Sequence, residues 1–188
     1  LAMGALLKST FAFTHQQNLY LSQYLGDLED FDTQQNYQLT LQHLLSTLQV
    51  EPTCILVDLH PAYASSQLGR EMADERGLTV VPIQHHLAHF GAVLAEHDLL
   101  DQAEPVLGVI WDGVGLGEDG QIWGGEFFVY HQKQFHRKSH FQYFPYFMGD
   151  KMAREPRLAA LAVLGPDPVL EAKFSAAEWA NYQVLWQK

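Results

Sequence analysis

The stretch VLGVIWDGVGLGEDGQIWGGEFFVYH, residues 106–131, contains two apolar runs on either side of a glycine-rich segment. The first run, VLGVIW, is typical of a buried strand, and the second, QIWGGEFFVYH, is long enough to pair back on it as a hairpin. DGVGLGEDG is then predicted to be the connection. Its spacing is G-x-G-x-G and a strand follows it, whereas a dinucleotide-binding fingerprint is followed by a helix. The stretch therefore predicts a glycine hairpin rather than a Rossmann fold.

Upstream of this hairpin the chain alternates between strand-like and helix-like segments. Strands are predicted at AMGALL, STFAFT, NLYLSQYLG, CILVDLH and TVVPI, and helices at residues 33–49, 61–76 and 85–100. Asp32 or Thr33 is expected to cap the first helix, and Gly77 to end the second. The resulting order, β-β-β-α-β-α-β-α, predicts an α/β fold.

Downstream of the hairpin a similar order begins again. HFQYFPYF, residues 140–147, is predicted to be a third strand, DKMAREPRLAALAVLG a helix interrupted at Pro156, and the remainder helical. The restart falls at Glu104-Pro105. We therefore predict two lobes, residues 1–104 and 105–188, with a cleft between them.

Composition limits the class of protein. The 188 residues are 47% hydrophobic, which is enough for a substantial core. The formal charge of -11 opposes binding to a nucleic-acid backbone, and the basic run HRKSH at 136–140 is interpreted as a solvated strand edge. The single Cys54 fits a reducing compartment, and no apolar run reaches the roughly 18 residues of a membrane span. We expect a cytoplasmic protein with no membrane or nucleic-acid partner.

Three histidines lie in QHHLAH, residues 84–89. In a helix that begins at His85, His85 and His89 share one face with Cβ atoms about 5 to 6 Å apart, close enough to bind one ion. His86 is expected to point elsewhere, and Leu87 to face the core with Phe90. Because isolated pairs with this spacing are often only hydrogen-bonded or solvated, the spacing alone does not decide between a metal site and a structural pair.

A carboxylate follows the apolar strand of the hairpin. Asp112 is followed at once by Gly113, Gly115 and Gly117, which would let the backbone approach a ligand. The arrangement suits a metal ligand or a phosphate-binding loop, and it also suits a plain hairpin. The corresponding turn in the first half contains Lys8.

Further polar residues are candidates for chemistry. Asp58 and His60 end the strand CILVDLH and are expected to point toward the cleft, where His60 would act as a base or as a capping group. Lys151 and Arg154, three residues apart at a helix start, would neutralise a phosphate or belong to a solvated face. Cys54 precedes a buried strand and is interpreted as a core residue.

Six segments occur in an order that resembles the carbamoyltransferase domain of HypF proteins, the maturation factors of [NiFe] hydrogenases. They are GALLKSTFAF, LSQYLGDLED, VDLHPAYASS, QHHLAH, WDGVGLGEDGQIWGGEFF and GDKMAREPRLAAL, and together they cover roughly residues 1–165. That domain is similar to universal threonylcarbamoyl transferases and to antibiotic O-carbamoyltransferases. The resemblance implies an α/β actin-like ATPase fold, here the first lobe and the start of the second.

The resemblance also implies a site and a reaction. His85, His89 and Asp112 would bind iron or zinc, and the glycine loop and Lys8 would face a nucleotide. The substrate would be carbamoyl-adenylate, made from ATP and carbamoyl phosphate. The carbamoyl group would pass to the C-terminal cysteine of a partner hydrogenase maturation protein and later become a cyanide ligand of iron.

The sequence departs from the family pattern at several points. The usual run is QHHHAH, and Leu87 replaces its third histidine; Val114 replaces a usual threonine in the glycine motif. The chain opens on Leu1 and lacks the family's acylphosphatase-like, zinc-finger and adenylate-forming domains, together with the acidic residue expected as a fourth metal ligand. We therefore expect a fragment.

Three other functions are compatible with parts of the sequence. A tRNA transferase is opposed by the charge of -11. An iron oxygenase with two histidines and one carboxylate usually needs a β-barrel, which the predicted helices contradict. A truncated docking module would need neither metal nor nucleotide.

Overall fold

The structure, a computed structural model, describes residues 1–186. It is an α/β protein, as predicted. Seven strands and seven helices are assigned within these residues: β1 (Ala12–His15), β2 (Asn18–Leu21), α1 (Phe31–Thr47), β3 (Cys54–Asp58), α2 (Ala64–Arg76), β4 (Thr79–Ile83), α3 (His85–Glu96), β5 (Val106–Leu116), β6 (Ile122–His131), β7 (Gln134–His140), α4 (Asp150–Arg154), α5 (Pro156–Leu164), α6 (Pro168–Glu171) and α7 (Ala176–Trp186).

The N-terminal residues connect two strand pairs into one mixed sheet. β1 pairs antiparallel with β2, and β3 pairs parallel with β4. Ala2 bridges them, because it pairs antiparallel with Ala12 and parallel with Leu56. The strand order is therefore β2, β1, residues 1–3, β3, β4. Parallel β3 and β4 end at the same edge, which places the residues after both strands side by side.

Helices α1 and α2 enclose the core of this sheet, in which Met3, Phe11, Tyr37 and Ile55 are almost completely buried. The predicted cap of α1 at Asp32 or Thr33 is wrong: the helix begins two residues earlier than expected, and Asp30 accepts a hydrogen bond from the Thr33 backbone at 2.9 Å. The predicted end of α2 is confirmed, since Gly77 adopts the left-handed conformation with φ 66°.

A second, antiparallel sheet has the order β5-β6-β7. The predicted hairpin is confirmed, but DGVGL, residues 112–116, belongs to β5 rather than to the connection, which is the tight turn at 117–121. The predicted strand HFQYFPYF is also wrong. Pairing ends where the Phe141 backbone donates to Gly125 at 3.0 Å, and β7 lies upstream at Gln134–His140. Pro145, which has no backbone N–H, fits this end of the pairing.

Helix α3 follows β4 of the first sheet but packs on the second. Phe90 and Leu94 of α3 form a core cluster with Trp123, Phe128 and Tyr130. Gly108 permits this packing, because a Cβ there would lie 2.6 Å from the Phe90 ring. The first turn of α3 is therefore held between the end of the first sheet and strand β5.

The C-terminal helices form a third cluster around Leu158, Leu161, Trp179 and Tyr182. The interruption at Pro156 is confirmed, since α4 ends at Arg154 and Pro156 begins α5. Within residues 1–186 no helix combines the length and apolar character needed to cross a bilayer.

Candidate metal centre

The site is built on the first turn of α3. Gln84 caps the helix, because its side-chain oxygen accepts from the Leu87 backbone at 3.0 Å. The helix then places His85 and His89 one turn apart with their ring centroids 4.7 Å from each other. Their Nε2 atoms are separated by 3.2 Å, so both rings direct the same nitrogen to one point.

Asp112 reaches this point from β5. Its Oδ2 lies 3.1 Å from Nε2 of His85 and 3.7 Å from Nε2 of His89. The β5–β6 register shifts between Trp111 and Gly115, and such irregularities commonly redirect a side chain. The other oxygen, Oδ1, accepts from the Gly113 backbone at 2.6 Å. The structure thus brings His85, His89 and Asp112 together, with donor atoms within 4.8 Å of one another.

The geometry of these three atoms fits a metal ion. Donors that surround a tetrahedral zinc at about 2.0–2.1 Å lie roughly 3.3 Å from one another. The three separations here are 3.1, 3.2 and 3.7 Å. Oδ2 of Asp112 is buried and has ion-pair contacts but no hydrogen bond of normal geometry. Two imidazoles and a carboxylate are donors that both zinc and iron accept.

Asp58 completes the surroundings of His85, a role that the sequence analysis did not assign. Its Oδ2 lies 2.8 Å from Nδ1 of His85, and its Oδ1 accepts from the His60 backbone at 2.8 Å. The available signal was a carboxylate at the end of a strand, pointing toward the cleft. Asp58 is paired in register with Ile83, two residues before His85, so the parallel sheet places the two side chains next to each other.

Two carboxylates determine the charge of His85. The contact with Asp112 and the hydrogen bond with Asp58 raise the pKa of His85 to about 9. The same contact with His85 lowers the pKa of Asp112 to about 2. Without a metal, a protonated His85 therefore lies between two carboxylates at neutral pH. A divalent ion would replace this proton as the positive charge.

His86 is not among the three residues whose donor atoms meet, as expected, but its ring also approaches Asp112. Its ring is completely buried, and Nε2 lies 3.9 Å from Oδ2 of Asp112. The reason is the packing of β5 on the inner side of α3, which brings Asp112 over His86 as well. Burial lowers the pKa of His86. Leu87 is half-buried and packs at the edge of the cluster around Phe90.

The glycines of β5 serve different purposes in the structure. A Cβ at Gly115 would lie 2.5 Å from Cε1 of His86, and one at Gly117 would overlap the Trp123 indole. A Cβ at Gly113 would have nothing within 4 Å. Gly115 and Gly117 thus allow close packing, and nucleotide binding by the three glycines stays a prediction.

The other candidates lie apart from the histidines. Lys8 is exposed, with its backbone bound to Asp27, and His60 stacks on Tyr63 at 4.3 Å. Lys151 contacts Tyr182 at 2.7 Å, and Arg154 is exposed. Within residues 1–186, no hydrogen bond or ion pair joins the side chains of these four residues to the metal triad. Their roles stay predictions.

The fold and the site define an α/β protein with a two-histidine, one-carboxylate centre between two sheets. Comparison with protein families identifies it more closely. Residues 1–96 match the family described as the HypF Kae1-like domain, and residues 108–185 match the second subdomain of the carbamoyltransferase Kae1-like domain. The chain therefore belongs to the HypF Kae1-like domain family, as the sequence motifs indicated.

Individual relatives agree with this assignment. Carbamoyltransferase HypF of Synechocystis sp. is 40% identical over 97% of this chain, and carbamoyltransferase HypF2 of Cupriavidus necator is 38% identical over 93%. The chain covers 23% and 22% of those proteins, so it spans about a quarter of their length.

Two solved structures have the same fold. The crystal structure of full-length HypF in a phosphate- and nucleotide-bound form superposes with a TM-score of 0.85 at 27% identity, over 99% of this chain and 24% of that one. HypF of T. kodakarensis superposes with a TM-score of 0.79 at 32% identity, over 96% of this chain and 22% of that one.

Proposed function

We propose that this chain takes part in carbamoyl transfer during hydrogenase maturation. The donor is carbamoyl-adenylate, and the acceptor is the C-terminal cysteine of a partner hydrogenase maturation protein. The proposal is supported by the family to which the chain belongs and by relatives named carbamoyltransferase HypF. The observation that carries it is the compact triangle of His85, His89 and Asp112.

We further propose an actin-like ATPase fold with the first lobe in residues 1–104 and the beginning of the second in 105–188. Support comes from the repeated order, in which an antiparallel strand pair opens each half. A nucleotide site is supported by the similar HypF structure in its nucleotide-bound form. Lys8, Gly113, Gly115 and Gly117 are the residues proposed to face the nucleotide.

His85, His89 and Asp112 would hold iron or zinc through Nε2, Nε2 and Oδ2. When bound, the ion supplies positive charge that polarises the carbamoyl oxygen or holds the phosphate and ribose. Asp58 accepts from Nδ1–H of His85 and so keeps Nε2 free for ligation. This arrangement fixes both the tautomer and the direction of the ring.

The reaction is an acyl transfer. The cysteine sulfur forms a bond to the carbamoyl carbon, the bond from this carbon to the phosphate oxygen breaks, and AMP leaves with the electron pair. Lys151 and Arg154 are proposed to neutralise the phosphate charge. His60 is proposed to accept the thiol proton on Nδ1, the nitrogen that accepts from the Ala62 backbone at 3.3 Å and therefore carries the lone pair of the neutral ring.

Nucleic acid is not proposed as a substrate. The basic run on β7 contains Arg137, whose Nε donates to the buried Glu126 carboxylate at 2.6 Å. This pairing neutralises one of the few positive charges that a phosphate backbone would need, in a chain of formal charge -11.

The test supplies preformed carbamoyl-adenylate and a peptide with a C-terminal cysteine to the metal-loaded chain. Mass spectrometry should detect a carbamoyl group on the cysteine above the uncatalysed level. His85→Ala should lose this activity and His97→Ala should retain it. Equal carbamoylation with and without the parent chain would contradict catalysis by these residues alone.

A further inference from the structure

The side-chain amide of Gln84 is fixed in one orientation. It is only 3% exposed, and its oxygen accepts from the Leu87 backbone at 3.0 Å. Its nitrogen lies 3.1 Å from the Leu116 carbonyl and 3.0 Å from Nδ1 of His86. An amide oxygen cannot donate to a carbonyl, so the opposite orientation would lose both the helix cap and the bond to Leu116.

This orientation determines the tautomer of His86. The Gln84 nitrogen is a donor only, so Nδ1 of His86 must accept, and the neutral ring carries its proton on Nε2. Nε2 is buried without a hydrogen-bond partner among residues 1–186, and it lies 3.9 Å from Oδ2 of Asp112. Oδ2 is the other buried oxygen or nitrogen at the site without such a bond. The two atoms without a hydrogen bond are thus a donor and an acceptor that lie 3.9 Å apart.

We propose that His86 is a positioning residue for the metal centre: Gln84 holds its Nε2–H toward Oδ2 of Asp112, and His86 is not a fourth ligand. The inference rests on the metal site of the proposed function and deepens it. A protonated Nε2 has no lone pair to give a metal, whereas it can donate a hydrogen bond to a carboxylate oxygen that ligates one.

The surroundings fit this role. Oδ1 of Asp112 accepts from the Gly113 backbone, whereas Oδ2 has no hydrogen bond and is the oxygen close to Nε2 of both His85 and His89. The absence of a side chain at Gly115 leaves room for the His86 ring beside β5. A fixed donor on the buried side of Oδ2 would direct its free lone pair toward the ion.

Zinc affinity of side-chain variants is the first test. His86→Leu removes the donor at similar volume and should weaken zinc binding by about 10- to 100-fold, the usual effect of losing a partner of a metal ligand. His86→Gln returns an N–H donor near the position of Nε2 and should recover most of that loss. His97→Ala, at the exposed end of α3, is the control. Circular dichroism would verify that each variant is folded.

Three results would overturn the proposal. His86→Leu could bind zinc as tightly as the parent, or lose it as completely as His85→Ala, or show no recovery in His86→Gln. If the parent itself binds no zinc, the proposed metal function fails instead, and the two failures are thereby distinguished.

A spectroscopic test needs no variant. Nitrogen-15 NMR of the parent chain loaded with cadmium-113 should show cadmium coupling to one nitrogen each of His85 and His89, and none to His86. The His86 ring should show a protonated Nε2 and an unprotonated Nδ1. Cadmium coupling to His86, or a proton on its Nδ1, would refute the assignment even if His86→Leu fails to fold.

Discussion

Oδ2 of Asp58 lies 2.8 Å from Nδ1 of His85, so the end of β3 fixes the ring that begins α3. Asp58 is 9% exposed, and its other oxygen is bound by the His60 backbone, which leaves the carboxylate little freedom to turn. The first sheet therefore orients one proposed ligand, while the second sheet supplies Asp112. The centre depends on both sheets being in place.

Asp58→Asn should weaken zinc binding by about tenfold or more. An amide has one acceptor oxygen, so either the His60 N–H or the His85 Nδ1–H must face its NH2 group. A proton moved to Nε2 would block ligation. Competition titration against a zinc chelator measures the effect. Asp101→Asn, which removes an exposed partner of Lys133, is the control, and equal affinity in both variants would argue against an orienting role for Asp58.

The two histidines one turn apart should be indispensable for the metal. His85→Ala and His89→Ala should each abolish stoichiometric zinc or iron after dialysis at neutral pH, because two ligands seldom retain an ion. His97→Ala should keep the parental content, since that exposed residue lies eight positions beyond His89, about 12 Å along the axis. Elemental analysis is the measurement. Retention of stoichiometric metal in His85→Ala would exclude the proposed ligand set.

The sequence was sufficient to predict that His85, His89 and Asp112 lie together, but not the contacts that support them. The i, i+4 histidines and an aspartate directly after an apolar run are local signals, and the motif order indicated the family. The contacts Asp58–His85 and Gln84–His86 depend on the parallel register of β3 and β4 and on α3 packing against β5. Those are long-range relationships that spacing does not encode.

The glycine-rich stretch illustrates the same limit. DGVGLGEDG was predicted to connect two strands, yet most of it continues β5. Gly115 and Gly117 are close to His86 and Trp123, side chains that come from other elements. A glycine needed for a turn and one needed for close packing look alike in a sequence.

Gly115→Ala should destabilise the protein, whereas Gly113→Ala should not. A Cβ at Gly115 would lie 2.5 Å from the buried His86 ring, and overpacking of this kind costs about 1–3 kcal/mol. A Cβ at Gly113 meets nothing within 4 Å, so its effect should stay within about 0.5 kcal/mol. Chemical denaturation of the metal-free variants gives both values. Equal free energies of unfolding would show that β5 does not pack on His86 as described.

Zinc affinity should rise with pH until His85 loses its proton. In the metal-free protein, Asp112 and Asp58 raise the pKa of His85 from 6.5 to about 9, so near neutral pH this ring is protonated and a zinc ion must displace that proton. Each unit of pH below about 9 should therefore reduce the association constant for zinc about tenfold, and above pH 9 this dependence should vanish. Asp112, with its pKa lowered to about 2, is already ionised and adds no slope in this range.

Competition titrations at several pH values from 6.5 upward, together with calorimetry in buffers of different ionisation enthalpy, would measure both the slope and the released proton. In Asp58→Asn one of the two carboxylates that stabilise the protonated ring is lost, so the plateau should begin at a lower pH. A flat profile in the parent chain, with no proton released, would mean that zinc does not bind through His85.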